Sequence, residues 1–296
     1  MYYIDRTVAF SETGPDNKIK ITNLIDYYQD VCTFQSAELG VGTEYLKEHG
    51  IGWVATSWQI VVNRYPFLDE KIRIGTIPYG FKGAMGLRNF IMETTDGEVL
   101  SVANSIWSMV SRKTGTLVRV DADTMGAYTL EPKLDMEYAP RKIAIPSELA
   151  ACAPVKVEYH HLDFNNHVNN AQYISMAEDL VPEGRRAKQI RVEYRASAHA
   201  DDVIMPYVGH SVVNAGTDAR ASNNSLAGIL LSGGDAPSAS SSVTSPEAAS
   251  SVASSGASSV ASSGTSSVAA SGAADIYTVV LADAEMKPYV IVEFLV

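Results

Sequence analysis

The sequence contains little cysteine, and this shortage argues against two kinds of structural site. Cys32 and Cys152 are its only thiols, so neither a disulfide framework nor a cysteine-based metal site is predicted. Apolar runs long enough to span a membrane are also missing. The segment Met1–Arg6 lacks the charged-then-apolar pattern of a secretion signal. We therefore expect a cytoplasmic protein.

Positive charge is scarce too. The 23 Lys and Arg residues stand against 34 Asp and Glu residues, and the formal net charge is -11. This acidity argues against nucleic acid as a main partner. Binding of an acidic protein would need a local basic patch, although a charge run is more often a solvated face. The candidate docking patch consists of Arg185, Arg186, Lys188, Arg191 and Arg195.

Hydrophobic residues are plentiful, at 46%, and their periodicity organises residues 1–120 as a strand, a long helix and an antiparallel sheet. The predicted helices are 23–39, with Thr22 or Asn23 as N-cap, and 43–49. The predicted strands are 2–10, 52–62, 71–79, 87–94 and 99–110. Residues 121–154 contain four prolines and little periodicity, so we expect a crossing linker.

The same order of elements follows the linker. The predicted helix is 169–181, and the predicted strands are 155–160, 189–196, 202–213, 276–282 and 288–295. This recurrence indicates an internal duplication, although residue-level identity between the halves is not evident. Residues 232–274 interrupt the second half, and their Ser, Ala and Gly composition predicts a disordered insert between adjacent strands.

The residues suited to chemistry are concentrated in His161–Asn170, which reads His-Leu-Asp-Phe-Asn-Asn-His-Val-Asn-Asn. This segment follows a predicted strand and precedes a predicted helix. Asp163, Asn165 and His167 alternate, so in an extended segment their side chains would point to one side. A carboxylate, an amide and an imidazole that converge at a helix N-terminus can form an acid/base site.

Two other interpretations of this segment exist. Asn-rich loops are common, because asparagine tolerates turns and caps helices, but a turn needs neither the histidine nor the alternation. Histidines 160, 161 and 167 suggest a zinc site as an alternative. However, no thiolate lies nearby, and no pair has helical His-x3-His spacing. The sequence therefore favours acid/base chemistry without a metal.

The string Asp163–Tyr173 resembles the signature Asp-x-Asn-x-His-Val-Asn-Asn-x-x-Tyr of the acyl-acyl-carrier-protein thioesterases, the plant plastid enzymes and their bacterial relatives. Weaker landmarks of that family occur in the same order along the chain. They are Trp53, Arg64-Tyr65-Pro66, Arg88-Asn89-Phe90, Ser105-Ile106-Trp107 and Lys287–Phe294. The resemblance covers nearly everything except the Ser/Ala-rich insert.

Membership would imply an α+β protein of two tandem hot-dog folds, each a curled antiparallel sheet around a central helix. The first repeat, 1–120, would hold an acyl chain, and the second, 155–296, would carry the chemistry. The implied reaction hydrolyses the thioester that joins a fatty acyl chain to the phosphopantetheine arm of an acyl carrier protein. No cofactor is implied. Because a double hot-dog contains the pairing that single hot-dogs achieve by dimerising, we expect a monomer or a homodimer.

The resemblance further implies that Asp163, Asn165 and His167 are catalytic. Asp163 would act as general base or nucleophile, Asn165 would orient Asp163 or the substrate carbonyl, and His167 would position water or supply a proton. Backbone amides at the start of the following helix would polarise the carbonyl.

One position departs from the family pattern. Many members carry a Glu where Ser197 stands, and some carry a Cys where Ala198 stands. A cysteine mechanism is therefore excluded here, and Ser197 is left as a candidate for orienting water. We expect Glu193 to be a surface carboxylate paired with a neighbouring arginine rather than a substitute base.

Several functions share these features. An acyl-CoA thioesterase acts on the same phosphopantetheine thioester, and only the basic patch mildly favours the carrier protein. A non-catalytic acyl-binding module would follow if the missing Glu were decisive. A hot-dog dehydratase also needs a His and a carboxylate, but the Asn-rich string does not resemble that family.

Overall fold

The computed structural model describes residues 1–214 and 273–296. In these residues the helices are α1 (Ile21–Glu38), α2 (Thr43–Glu48), α3 (Ala122–Ala127) and α4 (Asn170–Glu178). The strands are β1 (Tyr2–Thr7), β2 (Ile51–Val62), β3 (Lys71–Lys82), β4 (Met85–Thr94), β5 (Val99–Ser111), β6 (Ala150–Ala151), β7 (Val155–Lys156), β8 (Gln189–Tyr194), β9 (Val203–Asn214), β10 (Ala273–Ala282) and β11 (Pro288–Leu295). Two 3-10 turns, Phe10–Glu12 and Tyr159–His161, precede α1 and α4.

Most predicted elements are present, and the differences are local. The helix α1 begins one residue after Lys20, which forms no side-chain cap, so the predicted caps Thr22 and Asn23 lie inside the helix. The predicted strand 155–160 ends at Lys156, because the chain bends into the second 3-10 turn. The strand β8 ends at Tyr194, two residues before its predicted end.

The predicted Ser/Ala/Gly-rich insert falls almost entirely outside the described residues. Only its last two residues, Ala273 and Ala274, are described, and they begin the strand β10 rather than ending a disordered segment. The strands on either side of the segment, β9 and β10, are neighbours in the sheet.

The strands of both repeats form one sheet with the same topology in each half. The order is β1-β3-β4-β5-β2-β8-β11-β10-β9-β6, and β7 also pairs with β9. Outward from the centre, β2-β5-β4-β3-β1 of the first repeat corresponds to β8-β11-β10-β9-β7 of the second. The repeats join at the antiparallel β2–β8 pair, where Trp58 lies opposite Val192 and Ile60 lies opposite Ile190.

The turn before each long helix has the same backbone structure in both repeats. In the first, the Gly14 N–H donates to the Lys18 carbonyl at 2.8 Å. In the second, the Asp163 N–H donates to the His167 carbonyl at 2.7 Å. An antiparallel bridge closes each turn. The duplication that the sequence showed only as an order of elements is therefore present at the level of single hydrogen bonds.

Both turns reverse at an asparagine in the left-handed region, Asn17 (φ 63°) and Asn166 (φ 61°). Asparagine adopts this conformation more readily than most side-chain-bearing residues. The side chains around the two reversals differ. Where the second turn has Asp163, Asn165 and His167, the first has Gly14, Asp16 and Lys18. Only the second turn carries the carboxylate–imidazole pair.

The linker is less featureless than its prolines suggest. Its start forms α3, whose N-cap Asp121 accepts the Thr124 N–H at 2.7 Å. Near its end, β6 pairs with β9. The sequence missed both elements, because each is too short to establish a period.

Polar side chains from both repeats hold the linker on the sheet. Gln59 accepts the Ala139 N–H at 2.8 Å, and Glu193 accepts the Ile143 N–H at 3.0 Å. The Glu193 residue is 4% exposed, so its predicted surface position is wrong, while its pairing with Arg195 is present at 3.2 Å. Burial alone would raise the pKa of Glu193, but the Ile143 N–H and the Arg195 guanidinium hold that pKa below its ordinary value.

The two long helices contribute to one continuous hydrophobic core. In the first repeat the ring centroid of Phe90 lies 5.1 Å from that of Tyr28 and 4.9 Å from that of Trp58. Aromatic rings therefore occupy the region predicted to hold an acyl chain, and that role stays a prediction. The Trp58 Nε1–H is buried without a hydrogen-bond partner in the described part of the chain. Among the helices described, none is long and apolar enough to cross a membrane.

Candidate active site

The Asp-x-Asn-x-His string is a tight turn rather than an extended segment, so the premise of the predicted alternation is wrong. The Asp163 N–H donates to the His167 carbonyl, and the Asn166 N–H donates to the Asp163 carbonyl at 3.0 Å. The three predicted residues are nevertheless all partly buried, whereas Phe164, 78% exposed, and Asn166 face solvent. The turn thus places the same residues toward the protein, and the same residues toward solvent, as an extended strand would.

Asp163 builds the turn with one carboxylate oxygen. Its Oδ1 accepts the Asn165 N–H at 2.8 Å and the His167 N–H at 3.2 Å. Asparagine and aspartate often stabilise turns in this way. The other oxygen, Oδ2, has no hydrogen-bond partner in the described ranges, so it is available to a substrate or a water molecule. One residue thus holds the loop and presents a base.

His167 lies beside a second imidazole that sequence reasoning missed. The ring of His199 is 4.8 Å from that of His167 and nearly perpendicular to it. The backbone N–H of His199 donates to Asp202 at 2.8 Å, and its Nδ1 is 3.3 Å from the Asn166 carbonyl oxygen. No spacing in the sequence signals this contact, because the two histidines belong to different elements.

Two effects lower the pKa of His167 below its ordinary value. Burial is the larger, and the neighbouring His199 adds to it, whereas Asp163 opposes both. At neutral pH the imidazole is therefore neutral, and it offers one N–H donor and one acceptor. This state suits the predicted positioning of water better than the predicted supply of a proton.

The start of α4 provides a backbone donor next to this turn. Asn169 caps the helix by accepting the Ala171 N–H at 2.8 Å. The N–H of Asn170, the first helical residue, has no acceptor in the parts of the chain that are described. Helix N-termini carry such orphan donors and partial positive charge. This N–H can therefore polarise a bound carbonyl group.

The segment after β8 is fixed against the motif. The Tyr173 hydroxyl accepts the Ala198 N–H at 2.7 Å, and the Ala198 carbonyl accepts the Val168 N–H at 3.0 Å. Ser197 therefore lies one residue from a backbone contact to the motif 161–170. Its side chain is exposed and makes no hydrogen bond within the described residues, so its role in orienting water stays a prediction.

The predicted docking patch does not present its charges freely. Its four arginines form ion pairs within the protein, with Asp275, Asp16, Glu293 and Glu193 in chain order. Lys188 is exposed and has no ion pair among the described residues. Arg186 binds Asp16, a residue of the first-repeat turn, at 2.6 Å. Most of the patch therefore holds elements together, and its docking role stays a prediction.

Two structural repeats of one topology, with a polar turn at the N-terminus of the second long helix, define a double hot-dog protein. Solved structures agree. An acyl-ACP thioesterase from Bacteroides thetaiotaomicron matches with a TM-score of 0.73, 15% identity and coverage of 99% of this chain and 96% of that one. The 12:0-ACP thioesterase from Umbellularia californica matches with a TM-score of 0.68, 16% identity and coverage of 99% and 92%. At such identities the likeness establishes the fold.

Sequence comparison establishes the family. The sequence-family model of the acyl-ACP thioesterase N-terminal domain matches residues 2–128. The family model of the C-terminal domain matches residues 147–226. The chain belongs to the acyl-ACP thioesterase family.

Curated relatives match the chain over part of their length. A chloroplastic acyl-[acyl-carrier-protein] hydrolase from Cuphea viscosissima is 26% identical over 211 residues, which are 65% of this chain and 50% of that protein. The chloroplastic oleoyl-acyl carrier protein thioesterase 2 of Arabidopsis thaliana is 24% identical over 217 residues, 65% of this chain and 58% of that protein. The matched region is thus between half and three-fifths of each relative's length.

Proposed function

We propose that this protein hydrolyses fatty acyl-acyl-carrier-protein thioesters to free fatty acid and holo-carrier protein. The observation that carries the proposal is the turn 163–167, which presents one carboxylate oxygen, unpaired within residues 1–214 and 273–296, beside a neutral imidazole. The family and the names of the curated relatives indicate the thioester as substrate.

The residues of the turn can carry out the reaction without a cofactor. His167 holds a water molecule, and Oδ2 of Asp163 takes a proton from it as its oxygen attacks the thioester carbonyl carbon. The carbonyl oxygen gains negative charge, which the free N–H of Asn170 stabilises. The C–S bond then breaks with its electron pair on sulfur, and the thiolate recovers the proton from Asp163. Asn165 orients the carbonyl group.

Partner, location and oligomeric state extend the proposal. The phosphopantetheine arm is common to carrier protein and CoA, so contacts with the acidic surface of the carrier protein must select it, and Lys188, exposed and without an ion pair among the described residues, is the candidate for them. The cytoplasmic location stays a prediction, which fractionation of expressing cells tests. So does the monomeric or homodimeric state, which light scattering decides.

The decisive experiment compares acyl-carrier-protein thioesters of short to long chain with the matching CoA thioesters. Wild type and Asp163→Asn should be assayed together, because asparagine keeps the carbonyl oxygen that closes the turn but is no base. Turnover of carrier thioesters that collapses in the variant supports the proposal. Preference for CoA thioesters would select the acyl-CoA thioesterase, and acyl binding without turnover would select the non-catalytic module.

A further inference from the structure

A chain of polar side chains links the first repeat to the start of α4. The side chain of Gln29, on α1, accepts a hydrogen bond from Asn170 Nδ2 at 2.9 Å. Its Nε2 donates to Asp26 Oδ1 at 3.3 Å. On the other side of Asn170, the Tyr194 hydroxyl donates to the Asn170 carbonyl oxygen at 3.1 Å. The residue that offers the free N–H is thus held by both repeats.

The direction of this chain is set by Asp26. A carboxylate accepts hydrogen bonds and does not donate them, so it binds the NH2 end of Gln29. The oxygen end of Gln29 must then face Asn170, where it accepts the Asn170 NH2. A neutral carboxyl group can instead donate to the Gln29 oxygen, and this removes the acceptor from Asn170. The protonation state of Asp26 is therefore coupled to the position of Asn170.

The surroundings of Asp26 make that change accessible near neutral pH. The carboxyl is partly buried, and the groups that face it are Asp30 and Gln29 on α1, Glu12 in the preceding turn and Tyr194 on β8. None of these is a cation, and no ion pair to Asp26 occurs in the described residues. Burial first and then the Asp30 charge raise the pKa of Asp26 to about 6.

We propose that ionised Asp26, a residue of the first repeat, is a positioning residue for catalysis that acts through Gln29 and Asn170. It fixes the N-terminus of α4 so that the Asn170 N–H meets the developing negative charge on the thioester oxygen. The inference rests on the proposed function for its catalytic part, whereas the hydrogen-bonded chain itself is independent of it.

NMR tests the hydrogen-bonded side chains of Asp26, Gln29 and Asn170 independently of catalytic activity. The side-chain amide signals of Asn170 and Gln29 should move with pH, with a midpoint near the pKa of Asp26. In Asp26→Asn this midpoint should vanish. In Asp30→Asn, the matched control on the same helix, it should remain and shift to lower pH, because a repelling charge is removed. Amide signals that ignore pH, or that titrate unchanged in Asp26→Asn, would disprove the coupling.

The catalytic part is tested by kinetics on acyl-carrier-protein thioesters. Asp26→Leu, which has no acceptor for Gln29, should lower kcat about tenfold, the effect of about one hydrogen bond, with KM within about twofold. Asp26→Asn should lose one acid ionisation from the pH profile of kcat. Asp30→Asn should keep wild-type kcat at pH 8. A wild-type pH profile in Asp26→Asn would overturn the positioning role. If wild type turns over no thioester, the proposed function fails, and the NMR titration still decides the polar chain.

Discussion

Asp163 combines two tasks in one side chain, and substitutions can separate them. In Asp163→Asn, the side-chain oxygen can still accept the N–H groups of Asn165 and His167, so the turn should stay closed. We expect kcat/KM for thioesters to fall by about 100-fold or more, the usual effect of losing a general base. The melting temperature should change little. Asp163→Ala should lose activity and also about 1 kcal/mol of stability per lost hydrogen bond. An active Asp163→Asn enzyme would refute the assignment.

His199 contributes to the lowered pKa of its neighbour His167. Because burial and His199 both lower the pKa of His167, His199→Ala should raise that pKa toward its ordinary value. His167 must be neutral to position water, so the acid limb of the kcat/KM profile should move to higher pH. NMR titration of the His167 ring measures the same shift directly. His160→Ala is the matched control, since His160 packs 4.1 Å from His161 rather than on His167, and it should shift neither curve.

Ionised Asp26 lowers the stability of the protein. Its folded-state pKa, about 6, lies above the ordinary carboxyl value near 4, so ionised Asp26 destabilises the fold. The cost is complete above about pH 6 and is lost below about pH 4. Asp26→Asn should therefore raise the unfolding free energy by about 1–2 kcal/mol at pH 8 and by almost nothing at pH 4. Urea denaturation at the two pH values measures the difference, and equal effects at both would contradict the burial argument.

At the scale of elements, the linker depends on a few buried acceptors. Glu193→Ala removes the acceptor of the Ile143 N–H and the partner of Arg195, so we expect a loss of about 1–3 kcal/mol at pH 7. Hydrogen exchange at the Ile143 amide should accelerate, whereas the amide of Ala139, which Gln59 holds, should keep its protection. Uniform acceleration at both amides would mean that the linker is held as one unit.

Elements could be predicted from the sequence where local pattern decides them. The periodicity of α1 and of the long strands is local, so their bounds were found within a few residues. The contact of His199 with His167, the burial of Glu193 beneath the linker and the Asp26–Gln29–Asn170 chain each join distant segments. No local pattern encodes such contacts. The motif was found from its residue types, yet its shape was not, because the Asn165 and His167 N–H groups bind Asp163 instead of a neighbouring strand.

At the scale of the molecule, the continuous sheet predicts that both repeats unfold together. The side chains of Ile60 and Ile190 are fully buried at the β2–β8 junction, so Ile60→Ala should cost about 2–5 kcal/mol. All three tryptophans, Trp53, Trp58 and Trp107, lie in the first repeat, so their fluorescence reports that half. Hydrogen exchange in β11 reports the other half. Both should show one midpoint in denaturant, in wild type and variant, and separate midpoints would show that the junction does not couple the repeats.

The duplicated turn gives the protein an internal reference for the turn 163–167. The first copy closes with Gly14 at the position that Asp163 occupies in the second, and its backbone hydrogen bond is 2.8 Å against 2.7 Å. A carboxylate at this position is therefore not required by the backbone, since in the first copy Asp16, two residues further on, accepts the Lys18 N–H at 3.3 Å. An Asp163→Gly chain would carry glycine at this position in both turns, and the first turn shows that glycine there is compatible with the fold. The rate that it loses includes the loss of the two hydrogen bonds from Asn165 and His167, and comparison with Asp163→Asn, which keeps an acceptor for them, separates this structural part from the chemistry.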